Sequence, residues 1–417
     1  MDTDAGCEQV VVRVNPEALR AGVSELHSKR THVLSAKPLS IRSPSTLVLT
    51  IDRFFRGESE LPEGATRVTL RRALRFPRLP PINCVDPSST SGARHLEMLV
   101  LEDGTLWATC WLRHGGPAPA TMVTTFFGRQ LNIAGDASPP PTAIHLPRTA
   151  GMLMAGRLAA WEGLHVAIVG CGRTGSILAD ALCAQGIRRL TLVDHDILER
   201  GNLDGMALVS ARDVGRPKVE AVGSALCHRF PEISVTAVAS QFPCERSLCA
   251  VAPADVLVTS IDRDRPRLHA AHLARQMLML HLDIGTGPDG LGAFAADIRL
   301  TMPRGLCLLC LGGVADMNDR GSPRPGSSSR VINAAAAHLA CQALVNAMAN
   351  PLPRSDWWRV RAGGRDPIYS SERLTPEQGD TACPWCAGRM IGSLGSLAAV
   401  LRTTMRSPAG YAIRPFQ

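Results

Sequence analysis

The sequence predicts an α/β protein: a mainly parallel β-sheet with helices on both faces, preceded by a smaller β-rich N-terminal domain. Three observations predict it. From residue 165 onward, short apolar runs alternate with helical patterns, the order that builds parallel sheets with crossover helices. The segment Gly170-Cys171-Gly172-Arg173-Thr174-Gly175 stands between the first such run and the first such helix. Before residue 137 the runs are short and β-like, and Ala137-Ser138-Pro139-Pro140-Pro141-Thr142 breaks the chain between the two regimes.

In chain order, strands are predicted over Val10–Val14, Thr46–Ile51, Arg67–Leu70, Glu97–Leu101, Leu106–Trp111 and Thr121–Phe127. Asp103-Gly104 between the fourth and fifth of these reads as a hairpin turn. Residues 1–136 are therefore one module, 137–150 a Pro-rich linker and 151–417 a second domain. In that second domain His165–Val169 is a short buried strand, and a helix runs from Ser176 to Gln185, stopped by Gly186. Leu190–Val193, Ile233–Val238, Asp255–Ser260, Leu280–Ile284 and Phe294–Leu300 are strands. Lys218–Phe230, Arg267–Met277 and Val331 to about Met348 are helices, the last following a Gly/Ser/Pro-rich loop over Asp316–Arg330. Ligands of such sheets bind at the carboxyl ends of the strands.

Composition narrows the function classes. The chain has 417 residues, 45% hydrophobic and 20% charged, which is a globular composition. No run of about 18 uninterrupted apolar residues occurs, so no membrane span is expected. Met1–Val10 carries Asp2, Asp4 and Glu8 with no basic-then-apolar leader, so a cytoplasmic protein is expected. The charge of +8 is spread along the chain in short blocks without aromatic interleaving, the pattern of a solvated surface and not of a nucleic-acid face. Lys29, Lys37 and Lys218 are the only lysines among 45 basic residues. Where lysine survives, a compact ammonium is needed in place of a planar guanidinium.

The chemistry concentrates between residues 166 and 262. A G-x-G-x-x-G loop between a strand and a helix lets backbone approach phosphate, and the helix N-terminus beyond it favours anions. Asp194, at the end of the next strand, suits a ribose diol. Asp196 follows, suited either to the same site or to a turn cap. Gly170, Gly172, Gly175 and Asp194 alone fit a nicotinamide-dinucleotide oxidoreductase equally well. Two further residues tip the balance. Lys218 stands at a helix start, where its ammonium can meet a triphosphate as a point charge. Asp262 follows a strand's carboxyl end, where a carboxylate can hold Mg²⁺. Transfer of a nucleotidyl group needs both, because charge must be neutralised on the leaving pyrophosphate.

These motifs, with Asn202-Leu203, Gly215 through Lys218 and Asp283-Ile284-Gly285-Thr286-Gly287, resemble the ThiF/MoeB/HesA family of ubiquitin-activating-enzyme-like adenylyltransferases over about residues 155–390. The resemblance implies a Rossmann-like sheet. It implies an enzyme that uses ATP and Mg²⁺ to adenylate the C-terminal carboxylate of a small ubiquitin-like protein or peptide. It also implies a homodimer. By position, Gly170, Gly172 and Gly175 would shape the nucleotide loop, Asp194 would bind the ribose, Asn202 and Lys218 would contact phosphates, and Asp262 would hold Mg²⁺. The family writes an arginine two residues after Asn-Leu, where this chain has Gly205; Arg173 in the glycine loop is the candidate substitute. Arg148 and Arg157 are candidates for a second family arginine upstream of the first strand. A non-catalytic partner of a ubiquitin-like protein is the alternative that Gly205 motivates.

Cys307-Leu308-Leu309-Cys310 and Cys383-Pro384-Trp385-Cys386 are two C-x-x-C pairs. Two such knuckles can close a tetrahedral, structural Zn²⁺ site stapling the C-terminal part. No cysteine stands between Leu311 and Arg330, so adenylation without a thioester on this domain is expected, with Cys341 in the core. Residues 1–150 match no family, and Cys84 and Cys110 there are expected to be packed.

Overall fold

The computed structural model describes the strands between Gln9 and Gly135 and residues 161–288, 294–303, 305–313, 329–349, 355–362 and 370–374. The chain divides into two compact units. The predicted linker, 137–150, lies outside the described residues.

The first unit contributes β1 (Gln9–Val14), β2 (Thr31–Ala36), β3 (Leu39–Arg42), β4 (Thr46–Ile51), β5 (Phe54–Phe55), β6 (Thr66–Ala73), β7 (His95–Leu101), β8 (Leu106–Trp111), β9 (Pro117–Phe127) and β10 (Gln130–Gly135). They form one sheet in the order β3-β4-β1-β9-β8-β7-β6-β2-β5, with β10 paired to β9. β7 and β8 pair antiparallel with Val100 opposite Leu106, as the Asp-Gly turn predicts. β1 lies between parallel partners β4 and β9. It is buried from Val10 to Val14, which accounts for its four valines, with Arg13 enclosed among them.

The second unit begins with β11 (His165–Val169), α1 (Arg173–Ala184), β12 (Arg189–Asp194), α2 (Lys218–Arg229), β13 (Ser234–Ala239), α3 (Glu245–Val251), β14 (Val256–Thr259) and α4 (Asp264–Gln276). It continues with β15 (Leu280–Pro288), β16 (Phe294–Thr301), α5 (Arg330–Ala349), β17 (Asp356–Ala362) and β18 (Ser370–Leu374). The sheet order is β13-β12-β11-β14-β15-β16-β17-β18. The five strands from β13 to β15 are parallel, and β16 to β18 extend the sheet antiparallel. The chain winds outward from β11 to β13 and returns to place β14 on the other side of β11. The order therefore reverses between β11 and β14, and their carboxyl ends open a crevice.

Local chemistry accounts for these elements. β11 and β14 are apolar on both faces, with Val166, Ile168, Val256, Leu257 and Val258 fully buried, as helix-covered parallel strands require. α1 ends at Gly186, whose φ of +102° favours glycine. α2 ends before Pro231, with His228 and Arg229 in its last turn complementing the helix dipole. Within α5, Arg330–Met348 is long and apolar enough to cross a membrane, yet 61% of its most apolar window is buried. It packs on α1 and on β15 to β17. β17 and β18, α3 and the strands β2, β3, β5 and β10 are additions to the predicted elements.

Two buried histidines of this unit carry a pH signature. Burial, then the charges of His269 and Arg275, push His272 down to about 4, and Gln276 Nε2 donates to its Nε2 at 2.6 Å. Burial also pushes His281 down to about 4; its Nε2 is 3.0 Å from Thr259 Oγ1. Both are neutral in the fold and gain protons on unfolding at an ordinary value of 6.5. The unfolded chain then binds more protons, so stability is full above 6.5 and falls as pH drops toward 4. Denaturant midpoints for this unit measured from about pH 7 to about pH 4.5 should decline steadily, and a flat profile would contradict the assignment.

Candidate active site

The crevice is a cleft of about 1280 Å³. Its walls come from the ends of β11, β12, β14 and β15 and the starts of α1, α2 and α4. Of the sequence-predicted residues, Gly170, Gly172, Arg173, Asp194, Asp196, Lys218 and Asp262 line it together. Gly175 and Asn202 do not line it.

The three glycines have different reasons. Gly170 has a φ of +96°, and a Cβ there would stand 2.2 Å from the carbonyl oxygen of Ser260 at the end of β14. A Cβ on Gly175 would stand 1.9 Å from the Gly170 carbonyl oxygen, so α1 seats directly on the loop. Gly172 is the exception. Among the described residues, and apart from its chain neighbours, no atom comes within 4 Å of where its Cβ would be, and its φ is −82°. The packing of the described residues does not call for glycine there, and the residue lines the cleft.

Two carboxylates of the loop Asp194-His195-Asp196 are engaged. Asp194 Oδ2 accepts from the Cys171 N–H at 2.7 Å and its Oδ1 from the Asp196 N–H at 2.9 Å, which fixes the glycine loop against β12. Asp196 Oδ2 accepts from Lys218 Nζ at 2.7 Å. Partial burial would raise the Asp196 carboxyl, but the Lys218 hydrogen bond and charge hold it below the usual range. The Lys218 side chain is only 11% exposed. The sequence alone does not pair it with Asp196. Asp262 is exposed, and among the described residues no hydrogen bond or ion pair engages it. Asn202 closes a turn instead, its Oδ1 accepting from the Glu199 N–H at 2.9 Å.

Arg173 runs toward Asp204, donating from Nη2 to Oδ1 at 3.0 Å. Arg267 and Asn333, which sequence reasoning missed, also line the cleft. Arg267 donates from Nε to Asp283 Oδ1 at 2.9 Å and from Nη2 to Asp283 Oδ2 at 2.6 Å. Asp283 is fully buried. Burial would raise its carboxyl, but the Arg267 charge and hydrogen bonds, with Arg299, hold it below the usual range. No local pattern signals this pair beyond the polar residue within an apolar strand.

The thiols separate by environment. Burial pushes Cys341 up to about 12, in agreement with its expected place in the core, and Cys249 up to about 11. Cys244 is half-buried; hydrogen bonds from Ser240 and Ser247 outweigh burial and hold it below the usual thiol value. Cys307 and Cys310 bring their Sγ atoms to 3.7 Å. Cys383, Cys386 and Cys84 lie outside the described residues, as do Arg148 and Arg157.

Residues 149–361 match the ThiF family. The SAMP-activating enzyme E1 of Haloferax volcanii is 24% identical over 237 residues, covering 55% of this chain and 83% of that protein. The molybdopterin-synthase adenylyltransferase of Escherichia coli is 38% identical over 79 residues, 19% of this chain and 32% of that protein. The chain thus matches about a third of the length of this second relative. The solved structure of E. coli MccB with ATP is 23% identical, covers 56% of this chain and 69% of that one, and superposes with a TM-score of 0.46.

Proposed function

This chain belongs to the ThiF family, and from that premise we propose that it is an adenylyltransferase using Mg-ATP to activate the C-terminal carboxylate of a small ubiquitin-like protein or peptide. The observation that carries the reading is Gly172: a glycine the packing of the described residues does not need, lining a cleft whose walls hold a buried lysine and an unengaged aspartate. A backbone that leaves that space open admits a phosphate to the N–H groups at the start of α1.

In this reading a substrate carboxylate oxygen attacks the α-phosphorus of ATP. The bond from that phosphorus to the bridging oxygen breaks, and pyrophosphate leaves with the electron pair. Gly170, Gly172 and Gly175 keep the loop low enough for the phosphates to reach it. Asp194 spends one lone pair of Oδ2 on the glycine loop and one of Oδ1 on the Asp196 N–H, and retains others for a ribose diol. Lys218, held by Asp196, faces the triphosphate with its remaining N–H donors, and Arg173 adds a guanidinium. Asn202 retains its Nδ2 donor. Asp262 would hold Mg²⁺, which when bound supplies charge neutralisation on the departing phosphates. A nicotinamide dinucleotide would leave Lys218 and Asp262 without a task.

Titration calorimetry of the purified chain should give Mg-ATP binding and no NAD binding. Pyrophosphate exchange with a candidate substrate should then show turnover. Binding without exchange across small proteins ending in Gly-Gly would favour the non-catalytic alternative, which Gly205 motivates; NAD binding in place of ATP would overturn both.

The proposal includes a structural Zn²⁺ on Cys307, Cys310, Cys383 and Cys386. Two thiolates on one tetrahedral zinc with bonds of about 2.3 Å stand about 3.8 Å apart. The 3.7 Å between Cys307 Sγ and Cys310 Sγ suits such a knuckle. Elemental analysis of protein purified without chelator should find about one zinc per chain, and Cys307→Ser should lose it with a large drop in thermal stability. Well under one zinc in the unaltered protein would remove the assignment.

A further inference from the structure

The stem of Arg173 does not extend into solvent. It lies on the backbone of Gly205: a Cβ there would stand 2.5 Å from Arg173 Cδ and 2.6 Å from both Cγ and Nε. The volume a side chain at position 205 would need is filled by Arg173. Gly205 does not occupy the left-handed region, so its own backbone does not ask for glycine. Nη2 of Arg173 meets both oxygens of Asp204, at 3.0 and 3.3 Å. The Asp204 side chain is 70% exposed, and an ion pair so open to water contributes little stability. The turn carrying both residues is fastened from three sides. Met206 N–H donates to the Asn202 carbonyl at 3.0 Å, Ala207 N–H to Ser176 Oγ of α1 at 3.0 Å, and Arg330 Nη1 of α5 to the Asp204 carbonyl at 3.1 Å. Neither a backbone need nor a stability need accounts for Asp204 and Gly205; the position of Arg173 accounts for both.

We propose that Asp204 and Gly205 form a cradle that positions the Arg173 guanidinium for the phosphates of the nucleotide. Gly205 acts by leaving room, and Asp204 by orienting the fork. Neither touches the nucleotide, so both are positioning residues. A guanidinium whose stem is already laid down loses less rotamer freedom when it takes up an anion. Its Nε and Nη1 hydrogens are left to bind one. The cradle makes positions 173 and 205 a single unit: one large side chain fits across the pair, from either end. The inference rests on the nucleotide reading above.

The experiment is calorimetry of the full chain with Mg-ATP and, separately, with adenosine, each variant first checked by thermal melting. Arg173→Ala should weaken Mg-ATP about tenfold, the worth of a charge-assisted contact, and leave adenosine binding unchanged. Gly205→Ala should weaken Mg-ATP to a similar degree by displacing the arginine. It should have no further effect once Arg173 is already alanine. The swap Arg173→Gly with Gly205→Arg should recover most of the affinity, because the guanidinium then comes from the other end of the same space. Asp204→Asn should lose part of it while melting like the wild type. Gly205→Ala with unchanged Mg-ATP affinity, or losses that simply add in the double variant, would overturn the cradle while leaving the nucleotide reading intact. A wild-type chain that binds no Mg-ATP would remove the nucleotide reading and the cradle together.

Discussion

Asp283→Ala is expected to destabilise the second unit by about 3–5 kcal/mol, the cost of breaking a buried ion pair. Asp283 has no solvent exposure, and its carboxylate accepts hydrogen bonds from two side chains and pairs with the charge of a third. Arg267 meets it with two nitrogens, Thr259 Oγ1 donates to its Oδ1 at 2.7 Å, and Arg299 Nη1 stands 3.7 Å from its Oδ2. Arg267 and Arg299 are themselves 8% and 3% exposed. Removing the carboxylate leaves two buried guanidinium groups short of negative charge. Arg267 keeps Asp264 at 2.8 Å, and Arg299 keeps Asp297 at 2.8 Å. The loss is therefore large without being the full cost of an isolated buried ion. Asp283→Asn retains shape and one acceptor and should cost less. The double change Asp283→Leu with Arg267→Met removes both charges, and should be milder than Asp283→Ala. The pH dependence has a definite sign. The folded carboxyl sits below its ordinary value, so its contribution is present above the unfolded value, about 3.9, and disappears as pH falls through the folded one. Urea unfolding of the three variants and the wild type at neutral pH is the measurement; a loss under about 1 kcal/mol for Asp283→Ala would show that the network is not a buried ion system.

How much of this was legible before the structure depends on the range of the interactions. His165–Val169 and Leu190–Val193 were legible because a strand buried on both faces is written as a continuous apolar run, and the glycines after the first fix where it stops. The glycine loop, Lys218 and Asp262 were legible because each stands at a fixed offset from the end of an element. β17 was not: Trp357-Trp358-Arg359-Val360-Arg361 has no clean alternation, since Arg359 and Trp357 both turn to Asp297 on β16. α3 is seven residues long, too short for a helical period to register. The pairings that organise the cleft had no local sign at all. Asp196 with Lys218, Arg267 with Asp283 and Arg173 with Gly205 are set by how separate strand ends and turns converge. Gly205 could be seen in the sequence only as something missing; its meaning lies in a side chain thirty-odd positions earlier that fills its space.

Lys218→Ala is expected to lower the rate of acyl-adenylate formation about a hundredfold, equivalent to about 3 kcal/mol of transition-state stabilisation, with little change in stability. The asymmetry follows from where the two ends of the side chain lie. Lys218 opens α2 and its backbone N–H donates to the Asp196 carbonyl at 3.0 Å, a bond that alanine keeps. Its ammonium meets Asp196, whose side chain is 49% exposed, so the carboxylate left behind is rehydrated at small cost. What is lost is a fixed positive charge on the wall of the cleft, where negative charge must build on the departing pyrophosphate. Lys218→Arg should not restore the rate, because a planar fork held by Asp196 cannot occupy the point-charge position of an ammonium. Asp262→Ala should reach a comparable loss by removing the candidate Mg²⁺ ligand, and here too the exposed carboxylate supports no packing. Cys341→Ala should leave exchange intact, since forming the mixed anhydride needs no thiol. Pyrophosphate exchange with a proven substrate reads all four variants, with circular dichroism to confirm the fold. Near-native exchange in both Lys218→Ala and Asp262→Ala would mean that the phosphates are neutralised elsewhere. The charge balance of the cleft would then have to be rebuilt around Arg173 and Arg267.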